Sequence, residues 1–211
     1  MRSTVNLEQR ELLLNQAQKL FTTHGIKNLT MDMIAKSLKM SKKTIYVMVR
    51  DKSQLVNEVI ERYIQSEHQS LDSINQQAEN PLHELVLIIN RALEQTEDFN
   101  PESLFDMQKH YPESFQMFSQ HRTTFLHSCL LRNLDKGAQD GFYRNDFNKD
   151  VIAKIYIGML KVLVDQSLFP VAQYSFVEIL KAYIDYHLRA IVTEKGLAEL
   201  NKQKELNLIK I

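Results

Sequence analysis

The residues best able to bind a ligand stand close together between Thr30 and Lys52, in the stretch TMDMIAKSLKMSKKTIYVMVRDK. At its centre, SKKTIY places two lysines, a threonine and a tyrosine on a short predicted helix, with Ile45 as the buried anchor. Lysine ammonium groups neutralise phosphates or reach guanine O6 and N7, and hydroxyl groups donate hydrogen bonds to phosphate oxygens. A short helix with an apolar anchor and a basic outer face is typical of a recognition helix in the major groove of DNA.

Eight residues of this stretch are predicted to contact DNA: Thr30, Met31, Ser41, Lys42, Lys43, Thr44, Tyr46 and Lys52. Tyr46 and Lys52 also have a plainer interpretation. A tyrosine on a short helix is often half-buried in packing, and a lysine at the start of a helix is often simply an exposed surface residue. Lysine is a point charge and a poorer bidentate ligand than arginine. Lys42 and Lys43 are therefore expected to divide their contacts between bases and phosphates.

No other set of residues forms a recognisable catalytic or metal-binding motif. The seven histidines are scattered, and His121 and His127 project about 120° apart on a predicted helix, which does not suit joint metal ligation. Cys129 is the single cysteine, which excludes an internal disulfide, and it lacks a glycine-rich nucleophile motif. Phosphate-binding and dinucleotide-binding loops are absent from the sequence as well. We therefore predict that the chain is not an enzyme and uses no metal or cofactor.

Helices must position the basic stretch, because glycine and proline are few and strand-like alternation does not recur in the 211 residues. The first predicted helix covers residues 8–24 and ends at Gly25. Thr30 and Ser41 suit the N-caps of the second and third helices, and Asp51 begins a fourth that runs to about residue 75. The predicted fold is all-α, with a three-helix helix-turn-helix domain at the N-terminus and a second helical domain after it.

Charge distinguishes the two parts of the chain, although its formal net value is zero. Residues 1–62 hold eleven Lys and Arg against six Asp and Glu, and the remainder holds fifteen against twenty. A basic N-terminal third indicates a polyanionic partner for that part only. Since the opening residues show no leader pattern and apolar runs stay near about five residues, we expect a cytoplasmic protein without membrane association.

Residues 12–64 resemble the N-terminal domain of the TetR/AcrR family of transcriptional regulators. The family pattern is an apolar helix ending in Gly, a Thr-capped helix with Ile-Ala, then Ser-x-x-Thr-[Leu/Ile]-Tyr and a Lys before Leu. In this chain the pattern falls at Gly25, Thr30, Ile34-Ala35, Ser41, Thr44-Ile45-Tyr46 and Lys52-x-x-Leu55. The chain departs from the pattern at Lys39 in the turn, at Lys43 in the recognition helix, and at Met48, where one phosphate contact is expected to be lost.

Beyond residue 80 the resemblance concerns architecture alone. Helices are predicted from 81, from 101, over about 113–140, over 149–168 and over 173–195. The last two carry more apolar residues than one face needs, which indicates a two-fold four-helix bundle between two copies of the chain. The predicted dimer residues are Ile157, Leu160, Val164, Ile179, Tyr183 and His187. The tail 197–211 shows no strong N-cap, and its role stays open.

The resemblance implies that residues 1–53 bind DNA, that the fourth helix links the domains, and that residues 76–211 bind an effector and form the dimer. The effector is expected between the helices starting near 81, 113 and 149. The candidate residues are Phe105, Gln108, His110, Tyr111, Phe118, Arg122, Phe125 and Tyr156. They hold no cluster that indicates a charged ligand or a metal, so the class of effector is not predicted.

The sequence thus predicts a ligand-responsive transcriptional regulator, with repression as the expected direction, that binds a pseudopalindromic operator as a homodimer. A small-molecule effector would release it from double-stranded DNA. The alternative from a different class is a helical small-molecule-binding or protein-interaction module with weak or no specific DNA binding. An activator, or a nucleoid-associated protein without an effector, also stays open.

Overall fold

The computed structural model describes residues 7–96, 100 and 102–206, and these residues form helices joined by short connections. A π-helical turn, Arg122–Leu126, joins the helix that ends at His121 to the helix that begins at His127. Within these residues the only β-type pairing is an isolated bridge, so the predicted all-α fold is confirmed. The helices are α1 Leu7–His24, α2 Met31–Ser37, α3 Lys42–Met48, α4 Lys52–Gln77, α5 Pro81–Thr96, α6 Glu102–His110, α7 Pro112–His121, α8 His127–Gln139, α9 Lys149–Leu163, α10 Phe176–Ile191 and α11 Glu194–Glu205.

The described residues group into two compact units. The first unit contains α1, α2, α3, the part of α4 up to Glu67, α6, and α7 as far as Ser119. The second contains the rest of α4, α5, the π-turn, and α8 to α11. Because compactness does not test what each part binds, the boundaries at residues 53 and 76 stay a prediction. The first unit nevertheless contains α6 and most of α7 together with the helix-turn-helix.

The first unit is built around the apolar faces of its short helices. The predicted anchor Ile45 is fully inaccessible, and Ile34 and Ala35 of the family pattern are buried as well. α6 adds Met107 to the same core. Burial of an aliphatic side chain contributes about 1.5–3 kcal/mol, which is how two helices of seven residues stay folded. The other buried apolar residues are Leu13, Leu14, Ala17, Phe21, Ile26, Leu29, Met31, Met48, Val49, Leu55, Val56 and Val59.

Side-chain caps fix the starts of α2 and α3, as predicted. The Thr30 Oγ1 accepts a hydrogen bond from the Met33 N–H at 3.2 Å, and the Ser41 Oγ accepts one from the Thr44 N–H at 3.0 Å. Each bond satisfies a backbone donor that the first helical turn leaves without a partner, a contribution of about 1 kcal/mol. The caps therefore determine where both helices of the motif begin.

The turn between α2 and α3 is tight although it lacks the glycine that the family pattern favours. Lys39 has φ 52°, in the left-handed region, where the family would place Gly. Its N–H donates to the Lys36 carbonyl at 3.1 Å, and the Met40 N–H donates to the Ala35 carbonyl at 3.0 Å. These two bonds form the Schellman arrangement that ends a helix and reverses the chain. The lysine thus preserves the geometry of the turn at a cost in backbone strain.

The second unit has its own apolar core, formed mainly by α5, α9, α10 and α11. A buried polar network crosses it: the Glu84 carboxylate accepts from Arg132 at 2.7 Å and from the Asn133 amide at 2.9 Å. The Tyr143 hydroxyl donates to the Asn133 Oδ1 or to the Pro81 carbonyl, each 3.0 Å away. A glycine is required at residue 137, because an added Cβ would stand 2.0 Å from the Tyr143 ring. The network and this close contact fix how the end of α8 packs.

Several helix ends in the second unit differ from the prediction. The helix predicted over 113–140 is interrupted by the π-turn, and α9 ends at Leu163 instead of 168. The last predicted helix, 173–195, is α10 alone, which begins after a capping box at Ser175. Thr193 then caps α11 through a 3.1 Å bond from the Gly196 N–H, so part of the tail is a helix. Ser175 and Thr193 both lie within the predicted helix 173–195. Apolar periodicity continues through them, so it did not indicate that helices begin there. Residues 207–211 of the tail lie outside the described part of the chain.

None of the helices in the described ranges is long and apolar enough to cross a membrane.

Candidate nucleic-acid interface and effector region

The helix-turn-helix presents one face of α3 to solvent. Lys42, Lys43, Tyr46 and Val47 are exposed, whereas Ile45 and Met48 turn into the core. Spacing of i, i+3 and i+4 places residues 43, 46 and 47 side by side on one surface of the helix. α3 is thus a short, well-anchored helix with a basic and partly apolar outer face, which is the shape that a major groove admits.

Val47 was not among the predicted contacts, although it lies beside two that were. Its side chain is 48% exposed on a helix whose other aliphatic residues are buried. An exposed aliphatic group on a recognition helix suits the methyl group of thymine. The signal was available in the sequence, because residue 47 follows residue 43 by one helical turn.

Two of the hydroxyl-bearing candidates, Thr30 and Ser41, are exposed but already serve as caps. Ser41 Oγ and Thr44 Oγ1 are 2.7 Å apart and share one hydrogen bond. An accepting hydroxyl still has its own hydrogen to donate, so capping at Thr30 is compatible with a phosphate contact. Met31 differs, because its side chain is buried in the core of the first unit and is not available for a DNA contact.

The predicted phosphate anchor Lys52 does not point to solvent. Its Nζ donates to the Ile26 carbonyl at 2.5 Å, to the Leu29 carbonyl, and more weakly to the Lys27 carbonyl at 3.4 Å. The ring of Tyr111 lies 5.8 Å from the same ammonium. Partial burial lowers the pKa of Lys52, which the nearby carboxylate of Asp106 opposes. In this structure the lysine stabilises the connection between α1 and α2, and the prediction of a direct phosphate contact is not supported.

α6 holds the other side of the same connection. The Ser103 hydroxyl donates to the Phe21 carbonyl at 2.8 Å, and the Asn100 N–H donates to the Thr22 carbonyl, also at 2.8 Å. These bonds satisfy carbonyls that the last turn of α1 leaves without partners. The Lys27 N–H donates to the Asp106 carboxylate at 2.8 Å. The α1–α2 connection is therefore fixed from α4 and from α6 together.

Two other cations near α3 are engaged with carboxylates. The Lys42 Nζ is 2.8 Å from Asp32 on α2, and both side chains are exposed. A hydrogen bond to Asp32 raises the pKa of Lys42. The Arg50 Nε is 3.0 Å from Asp51, whose pKa is lowered mainly by accepting the Gln54 N–H at the start of α4. Lys43 is exposed on the same surface.

The predicted effector residues divide between the two units. Phe105, Gln108, His110, Tyr111 and Phe118 belong to the first unit, with Phe105 47% exposed. Arg122, Phe125 and Tyr156 belong to the second. Neither unit alone assembles the predicted set. A shallow open cavity of about 460 Å³ runs along α8 and contains none of them; it is lined by Ser128, Leu131, Arg132, Asp135, Lys136 and Gln139.

The three effector candidates of the second unit lie in a polar and aromatic region. Arg122 is buried in the π-turn, and its Nη2 donates to the Ile157 carbonyl at 2.6 Å. Burial raises the pKa of Tyr156 to about 12, an effect that the positive charge of Arg122 opposes. The Tyr156 ring lies 4.8 Å from the His187 ring, whose pKa burial lowers to about 4. π-turns inside longer helices often mark functional positions.

Phe125, in the same π-turn, contacts two histidines. Its ring centroid is 3.7 Å from that of His68 and 5.4 Å from that of His121. The His68 Nε2 and the His121 Nδ1 are 3.2 Å apart, within hydrogen-bonding distance. Sequence reasoning missed this pair because its members are 53 residues apart. Among the described residues no group of three or more His, Cys, Asp or Glu is placed to hold a metal ion.

The predicted dimer residues fall into two groups. Ile157, Val164 and Tyr183 are buried inside the chain, so they are unavailable to a second copy and that part of the prediction is corrected. Leu160, Ile179 and His187 are half-buried. The apolar side chains that α9 and α10 expose are different ones: Val151, Ile155 and Tyr186. Periodicity identified both helices as unusually apolar but not which face each turns to its own core.

The geometry agrees with what comparison of the sequence finds. Residues 13–59 match the family described as "Bacterial regulatory proteins, tetR family". A stretch of 89 residues is 33% identical to the HTH-type transcriptional regulator YhgD of Bacillus subtilis, which is described as uncharacterized. That match covers 42% of this chain and 44% of the relative, so the chain aligns with less than half the length of this relative.

Solved structures share the fold over most of the chain. A TetR-family regulator from Agrobacterium tumefaciens superposes with a TM-score of 0.73 at 17% identity, covering 88% of this chain and 98% of its own. A protein from Saccharomonospora viridis, solved in complex with choline, has a TM-score of 0.70 at 18% identity, covering 90% and 100%. SmeT, the repressor of the Stenotrophomonas maltophilia multidrug efflux pump SmeDEF, has a TM-score of 0.64 at 20% identity, covering 89% and 92%. At these identities the likeness concerns the fold alone.

Residues 13–59 therefore carry a helix-turn-helix domain of the kind described by the tetR family of bacterial regulatory proteins. The predicted resemblance is confirmed over these residues, and the solved structures confirm the predicted division of the fold into an N-terminal helix-turn-helix domain and a C-terminal helical domain. The matched family and the Bacillus subtilis relative are both described as regulatory proteins, which agrees with the prediction that the chain is not an enzyme.

Proposed function

We propose that this chain is a ligand-responsive transcriptional repressor that binds a pseudopalindromic operator as a homodimer. The observation that carries the proposal is α3, a helix capped at Ser41 and anchored by Ile45, which exposes Lys42, Lys43, Tyr46 and Val47 on one surface. Two such helices related by a two-fold axis fit successive major grooves when they are about 34–36 Å apart. Operator binding implies a cytoplasmic location, where the DNA of a bacterium lies.

In this proposal three of the exposed residues of α3 divide the recognition between them. Lys43 neutralises a phosphate or reaches a guanine, Tyr46 donates its hydroxyl to a phosphate, and Val47 contacts a thymine methyl. Ser41 and Thr44, which share a hydrogen bond at the start of α3, donate the remaining hydroxyl hydrogen to the DNA backbone.

Exposed apolar residues of α9 and α10 support the homodimer. Tyr186 is 73% exposed and Ile155 is 49% exposed, each on a helix whose opposite face lies in the core. Gly158 follows Ile155 by three residues, and an added Cβ there would meet no atom within 4 Å. A small residue in an apolar stripe lets a second helix approach closely. We expect Tyr186→Arg to give a monomer in light scattering, and a dimer that survives both this change and Ile155→Glu would contradict the proposed surface.

For the effector, we propose a small organic molecule bound in the second unit near the π-turn. Arg122, Phe125 and Tyr156 supply one charged, one aromatic and one amphipathic side chain there, a usual mixture for such a site. A coupling free energy of about 1–3 kcal/mol between effector and operator would change occupancy about 5- to 150-fold. A thermal-shift screen would find the compound, and release of DNA by that compound would test the coupling.

Selection of bound sequences from random duplexes tests the central proposal and yields the operator. The expected result is an enriched sequence with two inverted half-sites. Tyr46→Phe should then weaken operator binding without changing the thermal midpoint. Tyr174→Phe is a matched control, because Tyr174 is equally exposed, 46% against 44%, but lies in the second unit. Failure to enrich any sequence would favour the alternative of a small-molecule-binding module.

A further inference from the structure

An ion pair joins the two helices of the helix-turn-helix on their solvent side. The Lys42 Nζ lies 2.8 Å from the Asp32 Oδ2, between the first residue of α3 and the first turn of α2. Half of the Lys42 side chain and two thirds of the Asp32 side chain remain accessible. Such exposed pairs contribute little to the stability of a fold. Stability therefore does not explain why a carboxylate stands at this place.

The position of this ion pair affects whether Lys42 can contact DNA. Lys42 belongs to the exposed surface of α3 that is proposed to face the groove. A phosphate contact by its ammonium would either replace the contact with Asp32 or, if both were kept, bring that carboxylate close to the DNA backbone. Sequence-independent binding consists almost entirely of cation–phosphate contacts and the counterions that they release. Because the Asp32 carboxylate already binds the Lys42 ammonium, it weakens the contribution of Lys42 to sequence-independent binding in particular.

We propose that Asp32 is a specificity-determining residue, which withholds Lys42 from phosphate contacts and so suppresses binding to random DNA. The inference rests on the proposed function and deepens it. On the operator, base contacts by other residues of α3 compensate for the missing cation. On a random duplex no such base contacts form, so the loss of one phosphate contact lowers the affinity by a larger factor than it does on the operator.

Asp32→Asn tests the idea, because it removes the charge and keeps the size of the side chain. At physiological salt we expect the affinity for a random duplex to rise about three- to tenfold, with a smaller rise for the selected operator. The slope of log affinity against log salt should steepen by about 0.9, the value for one additional phosphate contact. The ratio of specific to random binding should fall accordingly.

The matched control is Asp146→Asn in the second unit. Asp146 also forms an exposed ion pair, with the Arg144 Nε at 2.9 Å, and its change alters the net charge by the same amount. We expect both affinities and the salt slope of this variant to equal those of the unmodified protein. An equal rise in Asp146→Asn would show that overall charge is responsible and would overturn the proposal.

A second variant tests whether Asp32 acts through Lys42. In the background of Lys42→Gln, Asp32→Asn should no longer change the affinity for the random duplex. If it still raises that affinity, the carboxylate acts by its own repulsion and the proposal is wrong. Circular dichroism and thermal midpoints identify any variant with a damaged fold, and the conservative Lys42→Arg should restore the effect of Asp32→Asn.

The failures of the two proposals can be told apart. If the unmodified full-length protein binds no duplex, the proposed function falls, and the role of Asp32 falls with it. If the unmodified protein selects an operator but Asp32→Asn leaves both affinities and the salt slope unchanged, only the role of Asp32 is refuted. Weaker operator binding by Asp32→Asn would also refute it, since it would mean that Asp32 orients Lys42 for a required contact.

Discussion

Replacing Lys52 with methionine separates two roles that the sequence alone cannot distinguish. A phosphate anchor at the start of α4 would leave folding unchanged and reduce the salt dependence of DNA binding by about one counterion. The structure instead directs the Lys52 ammonium to carbonyls of the α1–α2 connection. Methionine keeps most of the aliphatic stem, so Lys52→Met removes mainly the charge and its hydrogen bonds.

The expected loss of stability follows from those bonds. Hydrogen bonds to a charged group contribute about 1.5–3 kcal/mol each. Two of the three Lys52 bonds are short and the third, at 3.4 Å, is weak. Relief of the partial burial of the ammonium offsets part of their contribution, so we expect Lys52→Met to lower the free energy of unfolding by about 2 kcal/mol. For a chain of this size the thermal midpoint would fall by about 4–8 °C.

Urea denaturation and DNA binding at several salt concentrations are the two measurements required. Lys52→Met should bind all duplexes less tightly, because the start of α2 is less well held, but with an unchanged salt slope. Lys43→Met is the matched control: its side chain is exposed on α3, so its slope should flatten while its stability stays the same. A Lys52→Met variant of normal stability with a flattened slope would refute this reasoning and restore the phosphate contact.

Three further changes test other features of the structure. Lys39→Gly should stabilise the protein to urea by about 0.5–1 kcal/mol, since glycine removes the strain of a positive φ, and a destabilised variant would contradict the turn geometry. Gly137→Ala should destabilise by about 3 kcal/mol because its Cβ would overlap the Tyr143 ring, and an unchanged free energy of unfolding would contradict this packing. Burial lowers the pKa of His187 to about 4 against 6.5 when unfolded, so the unfolded chain binds more protons between these values. Stability should therefore fall by about 2 kcal/mol from pH 7 to pH 5, a fall that His187→Gln should largely remove and that its persistence would disprove.

Features that depend on neighbouring residues in the chain were the ones that the sequence predicted well. Thr30 and Ser41 cap their helices because a side-chain oxygen and an N–H three residues later meet whatever the rest of the fold does. The anchor Ile45 is buried as its periodicity indicates. The family pattern covers this same local region, where contacts between residues close in sequence determine the structure.

Features that depend on distant segments were predicted poorly or not at all. The role of Lys52 is decided by carbonyls at residues 26–29, which a helical-face argument does not consider. Tyr183 was predicted at the dimer interface, yet it is buried in the core of its own unit, while Tyr186 on the same helix is exposed. The pairing of His68 with His121 likewise follows from the fold and leaves no mark in either local sequence.

The distribution of ion pairs also changes what the basic N-terminal third implies. Pairing does not alter the net charge of residues 1–62, so long-range attraction to DNA stays as the sequence predicts. It does alter which cations are available to contact a phosphate. Ten of the eleven Lys and Arg residues of this segment are described by the structure, and five of these have internal partners: Arg10 with Glu58, Lys42 with Asp32, Arg50 with Asp51, Arg62 with Glu11, and Lys52 with backbone carbonyls.

Short-range recognition must therefore depend on fewer charges than the composition indicates. We expect a salt slope well below the value for eleven phosphate contacts, with Lys43 providing a large part of it. The remaining affinity has to come from groups that release no counterions, which on α3 are the hydroxyls of Ser41, Thr44 and Tyr46 and the methyl groups of Val47. Contacts of this kind depend on an exact fit to the groove, so a recognition helix with few available cations favours its operator over random DNA.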